Sequence, residues 1–126
     1  LAALAAATGQ PLAARAGLHV GPVLLRANTE ADVARGAKPL EVEGLAKPTA
    51  ARVMALARGG QTLVSEDAAA ALAAAGHGAA LEPLGHWRLK GVAEPVALFE
   101  PVAGARGAPP DADKAYRVLR AGTRWL

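Results

Sequence analysis

The chain contains no cysteine and few aromatic residues, with two Trp, one Tyr and one Phe among its 126 amino acids. The absence of cysteine excludes disulfides and thiolate metal sites and is typical of cytoplasmic proteins, so we expect a cytoplasmic location. No apolar run approaches the roughly 18–20 residues that span a bilayer, and we expect no membrane segment. The length suits one domain, and because aromatic residues are scarce its core must be built from Leu, Val and Ala, with Trp87 and Phe99 as large additions.

The net charge is +3 and the isoelectric point is near 9.8, which raises the question of nucleic acid as a partner. Nucleic-acid sites usually cluster their cations on one face, because binding displaces counterions from neighbouring phosphates. Here most cations are scattered and several lie near acids, as Lys38 does near Glu41. Nucleic-acid binding is therefore a minor hypothesis that depends on charge alone, and we do not expect it. The tail carries the one closer group of cations: Lys114, Arg117, Arg120 and Arg124.

The first part of the chain predicts short elements separated by turn residues. Residues 1–7 form a helix-favouring run that Gly and then Pro bring to an end. Residues 12–26 are apolar with β-branched positions and predict a pair of strands broken at a Gly-Pro step. Residues 27–39 contain charges, Gly and Pro, and predict an exposed loop. Leu40–Glu43 alternates apolar and acidic residues, as a half-buried strand does.

A helix is predicted to begin near Pro48, which a first helical turn tolerates because its missing N–H would have no partner there. A Gly-Gly pair ends this helix. Four positions recur at helical spacing and are expected to face a sheet, namely Leu45, Thr49, Val53 and Leu56. Arg52 lies on the flank of this stripe, and we expect it to be partly exposed at the edge of a groove.

The remaining chain predicts a strand, a capped helix and a closing hairpin. Thr62–Ser65 is the strand, and Ser65 can cap the following helix over residues 66–75, whose first two residues are acidic. Residues 81–89 and 96–102 are the hairpin strands. From residue 103 the composition changes to Gly, Pro and Asp, so residues 103–126 predict a linker and a short docked segment that leads to a following domain.

Three stretches carry a family resemblance. Residues 84–99 read Leu-Gly-His-Trp-Arg-Leu-Lys-Gly-Val-Ala-Glu-Pro-Val-Ala-Leu-Phe, residues 16–23 contain Gly-Leu-His-Val-Gly, and residues 49–65 contain a helix followed by a Gly-Gln turn and a strand. In this order they resemble the class III adenylate and guanylate cyclases over residues 12–102. The resemblance implies a partial ferredoxin-like cyclase fold of the α+β class, with helices packed on a mainly antiparallel sheet. It also implies that residues 1–102 are the carboxyl-terminal portion of a cyclase homology domain.

The resemblance gives Arg52 a catalytic position, because it stands at the Arg of the family's Asn-x-x-x-Arg helix motif. The implied role is to hold the triphosphate as charge builds up during attack of the ribose 3′-hydroxyl on the α-phosphate, to which a permanently charged, forked donor is suited. The family's Asn is replaced by Pro48, which has no side-chain donor or acceptor. Leu45 and Lys47 stand in the base-selecting region where the family often has Asp. The alternative for Arg52 is an ordinary surface Arg paired with an acid.

Lys90 matches a hairpin position at which a family Lys can approach the triphosphate, and its alternative is a turn Lys before a Gly. The resemblance implies Mg²⁺ or Mn²⁺ in an intact active member, held by two Asp residues in segments before Leu1. We expect no metal site or cofactor in this chain alone, and we expect His19 to be a hydrogen-bonded structural residue. None of the chain's Asp residues fits the metal motifs: Asp32, Asp67, Asp111 and Asp113.

Two functions stay open. The first is a degenerate regulatory signalling domain that acts by dimerisation with a second cyclase-type domain, identical or different. The alternative is part of an active adenylate or guanylate cyclase that forms a 3′,5′-cyclic nucleotide from a nucleoside triphosphate, with metal-binding residues supplied by upstream sequence or a partner domain. Pro48 and Lys47 favour the first, and we expect this chain alone to be inactive.

Overall fold

The computed structural model describes residues 2–78 and 80–126, so the first residue of the helix predicted over residues 1–7 lies outside it. In chain order the elements are α1 (Ala2–Thr8), β1 (Ala16–Leu18), β2 (Leu24–Ala27), α2 (Glu30–Ala34), β3 (Leu40–Glu43), α3 (Ala46–Leu56), β4 (Thr62–Ser65), α4 (Glu66–Ala74), β5 (Leu81–Leu89), β6 (Val96–Pro101), β7 (Ala115–Val118), β8 (Arg120–Ala121) and β9 (Arg124–Trp125). Across these residues no helix has the length and apolar character needed to cross a membrane.

The central sheet has five strands in the order β1-β4-β6-β5-β7. β1 runs parallel to β4, and the other neighbouring strands are antiparallel. α3 packs on β1 and β4, and α4 packs on β4 and β6. β2 with β3 and β8 with β9 form two separate antiparallel pairs. The molecule is therefore an α+β fold with helices on a mainly antiparallel sheet, as the sequence predicted.

The predicted closing hairpin is confirmed as β5 and β6, and β5 also pairs with β7 on its other side. Trp87, in β5, is fully buried, and its indole N–H donates to the Leu84 carbonyl at 3.0 Å. Satisfying that donor lets the largest side chain of the core lie away from water without a polar penalty. Phe99 is half-buried. The buried apolar cluster joins α3, β4, β5, β6 and β7 and includes Val53, Leu56, Leu63, Leu84, Trp87, Leu89, Val96, Leu98 and Ala115.

α3 buries most of its predicted stripe. Val53 is fully buried and Leu56 is 8% exposed, whereas Leu45 is 71% exposed, so the prediction that Leu45 faces the sheet was wrong. Leu45 is the residue before the helix, and its carbonyl accepts the first helical hydrogen bond, from Thr49 N at 3.0 Å. Its side chain therefore leaves from the start of the helix, ahead of the turns that pack on the sheet. Pro48 precedes this first bond and costs the helix no donor.

Gly17 explains how closely α3 lies on β1. A Cβ atom at Gly17 would stand 2.5 Å from the backbone nitrogen of Met54, a distance that no side chain tolerates. The Gly of the Gly-Leu-His motif is thus required by backbone contact between β1 and the helix that carries Arg52. This contact fixes the height of α3 above the sheet.

Two further predictions were wrong in part. The predicted exposed loop over residues 27–39 contains the short helix α2, where the Thr29 hydroxyl accepts from Asp32 N at 3.2 Å as an N-cap. The predicted strand pair over residues 12–26 exists as β1 and β2, but these strands belong to different sheets because each has a different partner. The Ser65 cap was predicted correctly, since its hydroxyl accepts from Ala68 N at 3.2 Å.

We predict that Leu56→Ala lowers the free energy of unfolding by about 2–4 kcal/mol, because the change removes a buried side chain and leaves a cavity. Leu45→Ala is the same chemical change at an exposed position at the other end of α3. The free energy of unfolding of this variant is expected to lie within about 0.5 kcal/mol of that of the parent chain. Urea denaturation followed by circular dichroism measures both. Equal losses for the two variants would contradict the placement of α3.

Candidate functional site

The groove beside Arg52 is formed by α3 and by the segment before β7. It has a volume of about 290 Å³ and is lined on the helix side by Arg52, Ala55 and Leu56. The opposite wall consists of Ala112, Asp113, Lys114 and Ala115. Arg52 is half-buried, as predicted for a residue at a groove edge. The composition of residues 103–126 predicts a linker, so the residues of this opposite wall were not predicted to be part of a site.

The side chains of Arg52 and Lys114 have no ion pair or hydrogen bond with any other residue that the structure describes. The salt bridge that the described residues contain joins Arg26 Nε to Glu43 Oε1 at 3.2 Å, and it lies in the separate β2–β3 pair. The alternative for Arg52, a surface Arg paired with an acid, is therefore not what the structure contains. Two unpaired cations beside a mainly apolar floor can bind an anion, since each retains all its donors.

Lys90 lies at the end of β5, exposed, and is followed by Gly91 at φ 84°, a backbone conformation that favours glycine. Its backbone N–H donates to the Lys114 carbonyl at 2.8 Å. Lys90 thus lies beside a residue that lines the Arg52 groove, although its own side chain is not part of the lining. The structure brings the two predicted nucleotide-binding residues to the same end of the sheet.

The positions that differ from the family's helix motif lie at the start of α3. Pro48, Lys47 and Leu45 are all exposed there. Leu45 lines a second cavity of about 520 Å³, between the end of β1 and the start of α3, together with His19 and Asp67. None of the three can replace the hydrogen bonds of an Asn or Asp at these positions, since Pro and Leu have no side-chain polar atom and Lys is a donor only.

Acidic residues do not converge on the groove. No group of three or more His, Cys, Asp and Glu that could hold a metal occurs in residues 2–78 and 80–126. Asp32 accepts from the Thr29 hydroxyl at 2.9 Å, Asp67 lies in the first turn of α4, and Asp111 accepts from Arg117 N at 3.0 Å, which leaves Asp113 as the carboxylate at the groove. A pair of Mg²⁺ or Mn²⁺ ions needs several oxygen ligands, so these residues do not fit such a site.

His19 is hydrogen-bonded, as predicted. Its Nδ1 lies 2.8 Å from the Ser65 hydroxyl, and the Ser65 oxygen accepts from Ala68 N at the start of α4. Ser65 is fully buried. The hydrogen bond therefore ties the end of β1 to the junction of β4 and α4.

A buried carboxylate holds the segment that leads to the groove. Glu100, at the end of β6, is 1% exposed and accepts from the Gln61 amide at 2.7 Å, Arg106 N at 3.0 Å and Gly107 N at 2.7 Å. The Arg58 guanidinium lies near and donates to the Ala108 carbonyl at 2.7 Å. Burial by itself would raise the pKa of Glu100, but these three hydrogen bonds and the charge of Arg58 outweigh it and hold the pKa below its usual value.

The comparisons with known proteins give one solved structure. No protein-family model and no curated protein matches the chain. The chain is similar to a solved structure of adenylate cyclases from Trypanosoma brucei, described in their monomeric state, with a TM-score of 0.61 and 27% sequence identity. The match covers 78% of this chain and 40% of that one, so the chain spans less than half the length of the cyclase it matches.

This likeness shows a cyclase-like fold and supports a domain of the nucleotidyl cyclase type. It agrees with the family to which the three sequence motifs pointed. The placement of residues 1–102 in the carboxyl-terminal portion of such a domain stays a prediction, as do the roles of Arg52 and Lys90.

We predict that Glu100→Gln lowers the free energy of unfolding at neutral pH by about 1.5–3 kcal/mol, because a neutral amide presents its own N–H₂ group to buried donors. The depressed pKa means that the contribution of Glu100 is present above the unfolded value near about 4.3 and is lost as the pH falls through the lower folded value. The difference between parent and variant should therefore shrink on acidification.

Urea denaturation at neutral pH and at about pH 3 measures that difference. Glu82→Gln, at an exposed position in β5, is the matched control and is expected to leave stability nearly unchanged. A gap between parent and Glu100→Gln that is constant over this range would contradict the assignment of an ionised Glu100.

Proposed function

We propose that this chain is part of a nucleotidyl-cyclase-type signalling domain that is catalytically incomplete, has a regulatory role and acts by pairing with a second cyclase-type domain, identical or different. We place it in the cytoplasm, with the cyclase-type portion in residues 1–102 and with residues 103–126, which add β7 to the central sheet, leading toward a following domain. The observation that carries the proposal is the composition of the Arg52 groove. It holds unpaired cations and one carboxylate, and the start of its helix carries Pro48.

A groove with this lining is suited to binding an anion rather than to catalysing the formation of a bond. Forming a cyclic nucleotide requires activation of the 3′-hydroxyl and stabilisation of charge on the transferring phosphate. Arg52 can serve the second task, because a guanidinium matches phosphate oxygens in a forked contact. For the first task the described part of the groove offers one carboxylate, Asp113, which is fewer than the oxygen ligands that a pair of divalent ions needs.

Pairing as such, apart from where the contact lies, is supported by apolar side chains that the fold leaves in contact with water. Leu18 ends β1, which is an edge strand of the central sheet, and the β2–β3 pair beside it presents further apolar residues. Exposed apolar side chains concentrated in one region, and an unpaired edge strand, commonly mark an interaction site. The residues that are about half exposed or more in this region are Leu18, Val20, Val23, Leu24, Leu25, Leu40, Val42 and Leu45.

The alternative function is part of an active adenylate or guanylate cyclase. The unpaired, half-buried Arg52 favours it, because a retained anion-binding Arg at a groove edge is what the transferring phosphate would need. Lys90, at the same end of the sheet, would approach the triphosphate. In that case Mg²⁺ or Mn²⁺ would be held by carboxylates from upstream sequence or from the partner domain, and would supply charge neutralisation at the reacting phosphate.

We predict that purified residues 1–126 form no cyclic nucleotide from ATP or GTP with either Mg²⁺ or Mn²⁺, since the described residues contain no metal-ligand cluster and Pro48 stands at the Asn position of the helix motif. Chromatographic detection of product, against a no-protein control, measures this. Product that requires metal and disappears in Arg52→Ala would contradict the prediction and establish the alternative.

We predict that the chain self-associates, or pairs with a similar domain, through the sheet face and the helix that carries Arg52. Arg52→Glu should weaken the association, because it places a carboxylate within that contact. Arg35→Glu is the matched control, an exposed Arg at the end of α2 given the same charge reversal. Sedimentation velocity over a range of concentrations measures all three chains.

Two outcomes would contradict this contact. A chain that stays monomeric at high micromolar concentration, alone and with a candidate partner domain, would rule out pairing. Association that Arg52→Glu leaves unchanged but Leu25→Gln abolishes would place the contact on the exposed apolar strands instead, away from α3.

A further inference from the structure

The segment between β6 and β7, residues 102–114, is fixed in place along its length, and we call it the strap. Near its start, the N–H groups of Arg106 and Gly107 donate to the buried Glu100 carboxylate. Further on, the Ala108 carbonyl accepts from the Arg58 guanidinium at 2.7 Å. At its end, the Lys114 carbonyl accepts from Lys90 N at 2.8 Å. A segment held at three places has a defined course, unlike a free linker.

That course takes the strap across the groove from Arg52. The strap and the first residue of β7 form one wall of the cavity, and α3 forms the other. The cyclase resemblance ends at residue 102, so this wall comes from sequence that the resemblance does not include. The Arg52 groove of this chain is therefore closed on one side by its own tail.

The side chains at this wall carry opposite charges. Lys114 is unpaired among the described residues, as is Arg52, and both line the cavity. Asp113 lines it as well and is the acid next to them. The rest of the lining is apolar, with Ala55, Leu56, Ala112 and Ala115. Lys114 and Asp113 are themselves exposed, so their effect on a bound anion comes from their position in the same groove as Arg52.

We infer that the strap supplies one wall of an anion-binding site. Lys114 is a second cation that binds a polyphosphate group together with Arg52. The negative charge of Asp113 lowers the affinity of the site for that group. The inference rests on the proposed function in one respect, the role of Arg52 at a triphosphate. The ligand class is a nucleoside polyphosphate or an inorganic polyphosphate, which share the chemistry that two cations recognise.

The test uses the full chain and inorganic tripolyphosphate as probe, with isothermal titration calorimetry at low salt. Lys114→Ala should weaken binding about tenfold, the usual effect of losing one charge-assisted contact. Asp113→Asn should tighten binding by about twofold to fivefold, because it removes one repulsive charge. Lys114→Arg should restore most of the affinity, which a purely structural role of the Lys114 side chain would not require.

Matched controls come from the β2–β3 side of the molecule. Lys38→Ala and Glu30→Gln make the same charge changes at exposed positions whose side chains do not line the groove, and neither should move the affinity by more than about twofold. Titration of ATP beside tripolyphosphate distinguishes the two ligand sources, since tighter binding of ATP would indicate that the nucleoside also contacts the groove. Thermal unfolding of every variant verifies that it is folded.

The outcomes separate this inference from the proposed function. Binding that is lost in Arg52→Ala but unchanged in Lys114→Ala and Asp113→Asn would overturn the role of the strap and leave the Arg52 site standing. Absence of tripolyphosphate binding by the parent chain would overturn the anion site altogether, whereas pairing measured by sedimentation would be unaffected. If Lys114→Ala and Lys38→Ala weaken tripolyphosphate binding equally, the effect comes from the net charge of the chain alone, and this too would overturn the inference.

Discussion

The contact between Gln61 and Glu100 connects the parts of this molecule that would otherwise be independent. Gln61 lies just before β4, and its amide nitrogen donates both to Glu100 at 2.7 Å and to the Gly107 carbonyl at 2.8 Å. Its amide oxygen accepts from Arg58 N after the end of α3, at 2.9 Å. One buried side chain thus joins the helix, the sheet and the strap. An ionised carboxylate is retained in the interior because its oxygens have three N–H donors and a cation nearby.

The second constraint is steric. The absence of a side chain at Gly17 lets β1 approach the backbone of α3, and Val53 and Leu56 then fill the space toward the core. With the axis and rotation of α3 fixed in this way, Arg52 can point neither to the core nor fully to water. The half-buried position of Arg52 therefore follows from packing on both sides of it, and a groove appears once the strap closes the other side.

Much of the fold could be predicted from local signals, because each of those signals has its cause within a few residues. The Ser65 cap, the burial of Trp87 and the strands of the closing hairpin depend on neighbouring hydrogen bonds and on period-two patterning. Leu45 was misplaced because spacing alone does not show where a helix begins. α2 was missed although Thr29, followed by acids in the first turn, is a usable start signal.

The strap could not be predicted, because what holds it lies far away along the chain. Gly and Pro composition indicates a linker, and only the three-dimensional contact with Glu100 and Arg58 turns that linker into a wall. The candidate site was accordingly half predicted: its helix side came from a motif, whereas Lys114 and Asp113 have no local signal that distinguishes them from other charged residues in the tail. Polar contacts between residues far apart in the chain are the features of a structure that sequence patterns predict least well.

The stability of the fold and the identity of the residue at position 48 are independent of one another for a physical reason. Pro48 lies before the first backbone hydrogen bond of α3, at an exposed position, so the helix tolerates Pro there as readily as the Asn that the resemblance leads one to expect. Stability therefore depends on Gly17, Val53 and Glu100 but hardly on which residue stands at position 48. A cyclase-like fold can persist while the groups that make bonds are exchanged, and likeness of fold alone then says little about activity. The groove presents Arg52 as an unpaired cation, and under our proposal the charges that the strap places opposite it determine which ligand the groove can hold.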